Sequence, residues 1–427
     1  MTESAAVKQN KKEVLSWCLY DWAYSSFATT VISAILPVYY SQVAGRDLPG
    51  NTATVYWGYT TAVALIVSVL IAPVMGAIAD YSGIKKRLLL VFAAVGIFAT
   101  AVLYYVTTGN WLLASLLFIV GNIGFSMSEV FYNALLPGIA GPEEIDRVSV
   151  KGYALGYMGG GILLALDVGL IHFMDDKALA TRITFITVSV WWAVFTIPLI
   201  LNVREPAIGK RKRIDTGILT EGFKRLSVTF HELRKYRELF LFLAAFWIYN
   251  DGIGTIIKMA AIYGAEIGIS QSALIGALLM TQFVGIPFSF AFGSLARYIG
   301  AKNSIMLGLL VYTVISISSY FMETALHFYI LAFLVGTVQG GTQALSRSLY
   351  GSMLPRDKTA EFFGFYGMSS KFAGIFGPLA FAIVSQLTGT SRLSIISLIV
   401  FFIAGGFILS RVDIRKGMSA ARAKSPV

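Results

Sequence analysis

The chain has 427 residues, of which 56% are hydrophobic and 13% are charged, and its mean hydropathy is +0.71. Soluble domains carry about a quarter charged residues, so this composition excludes a water-soluble fold, a disordered chain and a coiled coil. One membrane-spanning helix takes about 20 apolar residues, and the apolar content suffices for about twelve such helices. The composition therefore predicts a polytopic membrane protein.

The residues that usually hold metals and cofactors are rare and scattered. One cysteine, Cys18, excludes a disulfide framework and a multi-cysteine metal site, and the three histidines lie far apart in the sequence. The chain has no Walker sequence for ATP binding. The net charge of +11 is explained by basic loops on one side of a membrane. We therefore predict no metal ion, no cofactor and no nucleic-acid partner.

Apolar runs of spanning length follow one another in two groups of six. They lie near 14–41, 54–79, 87–108, 111–138, 149–173 and 183–203, and then near 238–263, 272–296, 303–322, 327–351, 361–387 and 393–411. Asp21 interrupts the first run and no small-residue cleavage site follows it, so we interpret it as a retained helix rather than a signal peptide. The pattern predicts an all-α membrane protein with twelve transmembrane helices in two six-helix, pseudo-symmetric bundles. The predicted domains are an N-terminal bundle at 1–203, a basic linker at 204–237, and a C-terminal bundle with a cytoplasmic tail at 238–427.

Lysine and arginine are distributed unevenly between alternate loops. If the N terminus is cytoplasmic, 27 of the 34 basic residues fall on the cytoplasmic side and 4 on the outer side. Such a bias predicts a cell (inner) membrane protein with both termini in the cytoplasm. The linker holds ten basic residues, and its apolar residues repeat at helical spacing from Leu219 to Leu233. This segment is either an amphipathic helix on the anionic leaflet or a simple tether between the bundles.

The two groups of six helices resemble each other in sequence. Residues 128–137 align without gaps on 346–355, and residues 76–85 align on 293–302. The first alignment places Glu129 and Arg347 at equivalent positions. Because repeats of this kind bind solutes at the interface between the halves, the repeat predicts a polar chamber near the middle of the membrane.

Six plus six helices, with a short basic loop after the second helix of each half, resemble the major facilitator superfamily. The signature of its second loop matches Gly76, Asp80, Gly83, Lys85, Lys86 and Arg87. Residues 19–30, and residues 361–366 with Lys371, are similar to the vacuolar amino-acid effluxers linked to autophagy and to their bacterial relatives. The resemblance implies that helices 1, 4, 7 and 10 line the chamber. The loop signature is then a conformational switch, in which we expect Asp80 to cap a helix end where the halves meet.

Seven ionisable residues fall inside the predicted helices, where each costs about 2.5–3.5 kcal/mol on insertion scales. They are Asp21, Glu129, Asp167, Asp251, Lys258, Arg347 and Lys371. Together they must pair or line water, because their summed cost exceeds an ordinary margin of stability. We interpret Asp167, near the outer end with His172, as an entrance or structural group. The remaining acids and cations are nearly balanced, which is typical of a site for a zwitterion.

The predicted roles follow from charge and position. Substrate binding is assigned to Asp21, Trp22, Tyr24, Tyr132, Asn250, Asp251, Lys258, Arg347 and Lys371, and proton coupling to Glu129 and Asp21. Arg347 cannot lose its proton, so it is a binding or pairing group. Because Glu129 and Arg347 are related by the repeat, we expect them to form a pair that depends on the conformational state.

These features predict a secondary active transporter that works by alternating access, coupled to protons, as a monomer in the lipid bilayer. The expected substrate is a small zwitterion, with amino acids favoured, and the family resemblance suggests export. The alternative is a proton-coupled antiporter that exports amphipathic toxic compounds. An intramembrane enzyme and a ligand-sensing receptor have no positive signal, since the sequence contains neither a catalytic constellation nor a soluble sensing domain.

Overall fold

The computed structural model describes residues 3–49, 52–141, 143–205, 236–269, 271–355, 358–388 and 391–423. In the first half, α1 consists of the consecutive segments Glu3–Ser26, Phe27–Ile35, Leu36–Tyr39 and Tyr40–Ala44, followed by α2 (Thr52–Ser82), α3 (Lys85–Val102), α4 (Trp111–Ile139), α5 (Ile145–Phe173) and α6 (Lys177–Asn202). The second half contains α7 (Arg237–Glu266), α8 (Gln271–Ile299), α9 (Ala301–Tyr320), α10 (Ala325–Ser352), α11 (Thr359–Thr388) and α12 (Ser391–Ser397 with Ile399–Ser410). A short helix, α13 (Ile414–Ala423), follows.

The predicted number of membrane helices is confirmed. Eleven stretches among the described residues are long and apolar enough to cross a bilayer. The remaining helix of the twelve is α11, which has 30 residues. At 1.5 Å per residue it is about 45 Å long, which exceeds the thickness of the hydrocarbon core of about 30 Å. The predicted linker at 204–237 lies almost entirely outside the described residues, and its predicted helix from Leu219 to Leu233 lies wholly outside them.

Short polar and glycine signals define several helix ends. Asp176 caps α6 by accepting a hydrogen bond from the backbone N–H of Leu179 (2.8 Å), and Thr324 caps α10 in the same way. Gly83 ends α2 with φ +61°, and Gly300 ends α8 with φ +83°. These two turns are equivalent in the repeat, and both need the left-handed conformation that glycine adopts without strain.

The first helix departs from a regular α-helix, which the hydrophobic pattern does not reveal. Phe27–Ile35 and Tyr40–Ala44 are π-helical, with a short α-helical segment between them. Long π-helical segments are rare, and π-bulges are frequent at functional sites. The segment Phe27–Ile35 packs against α5 and α6, so the irregular part of α1 lies inside the first half.

Helix packing repeats between the two halves. The pairs α1–α5, α3–α4 and α1–α6 in the first half correspond to α7–α11, α9–α10 and α7–α12 in the second. Across the halves, α2 packs on α11 and α8 packs on α5, which are equivalent pairs under the same repeat. The core of the molecule is therefore a pseudo-symmetric bundle with its two halves in contact along α2, α5, α8 and α11.

One face of the bundle holds the start of α1, the α2–α3 connection, the end of α6 and the start of α11; we call it the terminal face. Two lysines there bind carbonyl groups at the ends of helices. Lys86 Nζ donates to Ile200 O and Val203 O (2.7 and 2.6 Å), and Lys302 Nζ donates to Ser410 O and Val412 O (2.7 and 2.8 Å). Cations at C-terminal ends also offset the helix dipole. Each half therefore anchors its third helix to its sixth helix with a lysine.

A glutamate completes this device in both halves. Glu13 Oε1 accepts a hydrogen bond from the backbone N–H of Arg204 (2.8 Å), just after α6. Glu238 Oε2 accepts one from the backbone N–H of Asp413 (2.7 Å), just after α12. The first and sixth helices of each half are thus joined at the terminal face by equivalent bonds.

Candidate functional site

Arg347 on α10 is the most completely enclosed cation among the described residues, with 1% of its surface exposed. Its Nε donates to Ser149 Oγ (2.9 Å) and its Nη2 donates to Ser149 O (2.8 Å), both on α5. Its Nη1 donates to Asn133 Oδ1 on α4 (3.3 Å) and lies 3.1 Å from Asp21 Oδ2 on α1. A single side chain of the second half is therefore bound by three helices of the first half.

Asp21 is the carboxylate partner of Arg347 and is 2% exposed. Its Oδ2 also accepts a hydrogen bond from Tyr132 Oη (2.9 Å). Space for this carboxylate is provided by two glycines of α5. A Cβ atom at Gly152 would lie 2.8 Å from Asp21 Oδ2, and one at Gly156 would lie 3.0 Å from Asp21 Oδ1. The spacing of four residues puts both glycines on the face of α5 that meets α1.

Aromatic rings surround the guanidinium group of Arg347. Its Cζ lies 4.3 Å from the ring centroid of Tyr153, 5.0 Å from that of Trp17 and 5.6 Å from that of Tyr132. These distances are within the range of cation–π attraction, which strengthens when the cation is removed from water. Trp17 stacks on Tyr132 with ring centroids 4.2 Å apart and donates from Nε1 to Tyr132 O (3.0 Å). The rings hold the ion pair in a dry, polarisable environment.

A small polar cavity of about 40 Å³ lies next to this ion pair. Its walls come from α4, α5, α7, α10 and α11, and its lining residues are Glu129, Val130, Asn133, Tyr153, Phe246, Asn250, Gln343, Tyr366 and Gly367. Asn133 and Tyr153 border both the cavity and Arg347. An acid, several amides and aromatic rings therefore share one space, and the guanidinium group of Arg347 lies directly behind its wall.

The predicted pairing of Glu129 with Arg347 needs a correction for the conformation described here. The carboxylate that contacts Arg347 is that of Asp21, whereas Glu129 lies on the cavity wall one helical turn before Asn133. Arg347 reaches across the interface into the space opened by Gly152 and thus comes close to α1. The equivalent positions of Glu129 and Arg347 do place both beside the central chamber.

The other predicted binding residues are divided between the cavity and the surrounding core. Asn250 lines the cavity and Tyr132 binds Asp21, while Tyr24 packs against Tyr20, Phe125 and Tyr132 inside the first half. Trp22 points away from the cavity and stacks on Trp191 with centroids 5.6 Å apart. Asp251 borders a separate apolar recess with Trp247 and Phe376. The side chains of Lys258 and Lys371 lie outside the described residues.

The predicted switch loop lies at the contact between α2 and the start of α11. Asp80 Oδ2 accepts a hydrogen bond from the backbone N–H of Glu361 (2.7 Å), in the first turn of α11, as expected for a helix cap. Asp80 Oδ1 lies 2.6 Å from Lys85 Nζ, which also donates to Thr359 Oγ1 (2.6 Å). All of these polar groups are buried, and they join the two halves at the terminal face.

Gly76 and Arg87 complete the loop signature in different ways. A Cβ atom at Gly76 would overlap the carbonyl group of Ala360, so glycine permits the close approach of α2 to α11. Arg87 is exposed at the terminal face. In the second half Arg297 replaces Asp80, is exposed and contacts Ser294 (3.3 Å) on its own helix. The polar cap is therefore present at α2–α11 and has no equivalent carboxylate at α8–α5.

Several functional neighbours escaped the sequence analysis. Ser149, Asn133, Tyr153 and Trp17 all contact Arg347, but serines, amides and aromatics are common in membrane helices and carry no signal alone. The pair Gly152 and Gly156 was the available signal, since small residues four apart mark close helix contacts.

Comparisons with known proteins agree with this architecture. The family model described as "Vacuole effluxer Atg22 like" matches residues 51–145 and 140–422. The MFS-type transporter YxiO of Bacillus subtilis is 39% identical over 413 residues, covering 95% of this chain and 96% of the relative. Autophagy-related protein 22-1 of Penicillium rubens is 24% identical over 538 residues, covering 96% of this chain and 91% of the relative.

The fold is also that of a solved transporter. The major facilitator superfamily proton:xylose symporter XylE matches with a TM-score of 0.77 and 13% identity, covering 98% of this chain and 99% of that one. This likeness shows the twelve-helix fold, while the match to the family model and the bacterial relative show the family. The chain is thus a multi-pass membrane transporter of the major facilitator fold, and it belongs to the family described as "Vacuole effluxer Atg22 like".

Proposed function

We propose that this protein moves small zwitterions, with amino acids as the main class, across the cell membrane by alternating access. The observation that carries the proposal is the cavity of Glu129, Asn133 and Asn250, which has the Arg347 guanidinium directly behind its wall. A zwitterion needs an anionic and a cationic partner a few ångströms apart, and charge-assisted hydrogen bonds make such a site selective.

The cavity of about 40 Å³ has room for about one or two water molecules and is too small for an amino acid. Arg347 is meanwhile bound by Asp21. Both features suit a conformation in which Asp21 occupies the position that a substrate carboxylate takes after the halves separate. The substrate ammonium group would then bind Glu129, for which the sequence predicts proton coupling alone, with the rings of Tyr153 and Tyr366 beside it.

Proton coupling follows from the same exchange. Protonation of Asp21 removes the charge that holds Arg347, so a proton and a substrate carboxylate favour the same rearrangement. The positive-inside bias supports cytoplasmic termini, so the terminal face with its closed contacts faces the cytoplasm. Export is the direction suggested by the effluxers of this family. An antiporter of amphipathic compounds remains the competing function, and the assay below includes it.

Counterflow in proteoliposomes tests the proposal directly. Vesicles loaded with a mixture of unlabelled amino acids should accumulate the labelled amino acids transiently. Vesicles loaded with an unlabelled amphipathic cation should not accumulate the labelled cation. Glu129→Gln should reduce this exchange at least tenfold, and the matched control Glu144→Gln, at an exposed acid of the terminal face, should retain it. Exchange of the amphipathic cation without exchange of amino acids would refute the zwitterion assignment.

A further inference from the structure

A second buried carboxyl group lies far from the central cavity, on the same helix that holds Ser149 and Gly152. Asp167 on α5 is 1% exposed. It lies 15 residues beyond Gly152, which is about 22 Å along the helix, and six residues before the end of α5 at Phe173. Asp167 is therefore close to the face opposite the terminal face, and the cavity and the Arg347 site do not use it.

The two contacts of Thr187 are both satisfied when the carboxyl group of Asp167 carries a proton. Its Oδ1 is 2.6 Å from Thr187 Oγ1 on α6, and the same Oγ1 is 2.8 Å from the backbone carbonyl oxygen of Thr184. A hydroxyl group has one proton to donate, and a carbonyl oxygen only accepts. If Thr187 donates to Thr184, then the short contact with Asp167 needs a proton on the carboxyl group. Asp167 is then the donor and Thr187 the acceptor.

The second oxygen and the surroundings agree with a neutral group. Asp167 Oδ2 is buried and has no hydrogen-bond partner among the described residues. An ionised carboxylate in this position would be expensive, because it would be removed from water without compensating donors. A neutral carboxyl group needs fewer partners and is compatible with the apolar neighbours.

The charged groups on the packed elements are directed elsewhere. On α5 itself His172 is exposed, and on α6 Lys177 Nζ donates to His172 O (2.8 Å), while Arg182 lies over the ring of Tyr104 at 5.4 Å. Asp176, before α6, caps Leu179. The other helices near α5 bring few charges. The sequence of α1 has no charged residue between Asp21 and Arg46, and α8 has none before Arg297. The charged or titratable residues of α10 are His327, which is exposed, and Arg347, which is distant.

We propose that Asp167 is a proton-binding site that is occupied in this conformation and is reached from the face opposite the terminal face. As a coupling site it rests on the proposed proton-coupled transport, whereas its protonation is inferred from the contact with Thr187, from the burial of Asp167 and from the lack of a partner for Oδ2 among the described residues. Loss of the proton leaves a carboxylate that water must reach, which requires α5 to separate from α6 near the π-helical segment of α1. Because α5 also carries Ser149 and Gly152 at its other end, this movement is transmitted to the Arg347 site.

Infrared difference spectroscopy of the purified protein in lipid tests the proton directly. The wild-type spectrum should contain a protonated carboxyl band that is lost in Asp167→Asn and kept in Asp175→Asn, which alters an exposed acid of the nearby loop. Thr187→Val should keep the band and move it to higher frequency, because the carboxyl group loses its acceptor. A spectrum in which Asp167→Asn removes no such band overturns the proposal, even if that variant transports normally.

Transport separates the coupling role from the proposed function. In proteoliposomes given a labelled amino-acid mixture, Asp167→Asn should keep counterflow while losing at least 90% of the accumulation driven by a pH gradient. Equal pH-driven accumulation in wild type and in Asp167→Asn would overturn the coupling role of Asp167 and leave the proposed transport intact. A wild type with counterflow but no response to the pH gradient would refute the proposed proton coupling, while the infrared band would still decide the protonation of Asp167.

Discussion

Replacing Arg347 by alanine should release the contact between the halves and shift the protein toward opening at the terminal face. Arg347 and Asp21 are 1% and 2% exposed, and their pair joins α10 of the second half to α1 of the first. Removing one partner of a buried pair costs about 3–5 kcal/mol, because the other charge stays buried without compensation. After the change, Asp21 Oδ2 keeps the hydrogen bond from Tyr132 as its remaining contact with a side-chain donor of those described.

This cost acts on the equilibrium between conformations, since the pair exists where the halves are in contact. At about 1.4 kcal/mol for each factor of ten, a change of 3–5 kcal/mol shifts the ratio of closed to open molecules by about two to nearly four orders of magnitude. A population at about 99:1 in favour of the closed form would become about half open at the lower figure and mostly open at the upper one. Asp21→Asn with Arg347→Ala removes both charges and should restore much of the closed population.

Single-molecule energy transfer between the halves measures this shift. Glu144 and Tyr298 are exposed on opposite halves at the terminal face, so cysteines at these positions can carry the dyes once the buried Cys18 is replaced by serine. Arg347→Ala should move the distribution to longer distances, and the double variant should move it back. An unchanged distribution in Arg347→Ala would refute the argument that this pair holds the halves together.

Three further predictions concern the terminal face, and the first two compare corresponding contacts of the two halves. Gly76→Ala should favour opening of the terminal face in the same energy-transfer assay, because its Cβ would overlap the backbone carbonyl group of Ala360. Gly293→Ala should have a much smaller effect, because its Cβ would meet the side chain of Val150 (3.0 Å). Lys86→Met and Lys302→Met should lower the thermal unfolding temperature by similar amounts, because each variant loses two hydrogen bonds from a charged donor. One such bond contributes about 1.5–3 kcal/mol. Effects that differ widely would contradict equivalent roles for the two lysines. Asp80→Asn should increase cysteine labelling at Thr359→Cys, and unchanged labelling would count against the cap.

The fold and the contact of Asp80 could be predicted from the sequence more completely than the contacts of the central site. Twelve apolar runs, a basic loop bias and a gapless repeat are properties of whole helices, and each is visible without knowing any contact. The contact of Asp80 with the start of α11 was also predictable, because a carboxylate near a helix N terminus has one favourable partner, the free N–H groups.

The partner of Arg347 was not predictable from the repeat alone. Symmetry relates the backbone positions of Glu129 and Arg347, but the guanidinium group lies at the end of a long side chain and follows available space. That space is provided by Gly152 on a third helix, where a Cβ atom would meet both Asp21 Oδ2 and Arg347 Nη2. Adjacent residues on a helix point about 100° apart. Asp21 therefore contacts Arg347 and Asn250 lines the cavity, while Trp22 stacks on Trp191 and Asp251 borders a separate recess in this conformation.

The two halves share the lysine bonds that hold each bundle together, and they differ in the sign of the charge at two pairs of matched positions. Lys86 and Lys302 make equivalent bonds, but Asp80 is matched by Arg297, and the acid Glu129 is matched by Arg347. A repeat with identical charges would face like charges across its axis, which repel in a medium of low dielectric constant. Opposite signs at equivalent positions avoid that repulsion, and the attraction across the interface comes from Arg347 with Asp21 and from Asp80 with the backbone N–H of Glu361. The asymmetry also makes the strength of the interface sensitive to each proton or solute that neutralises one side, which is the physical requirement for coupling binding to a change of access.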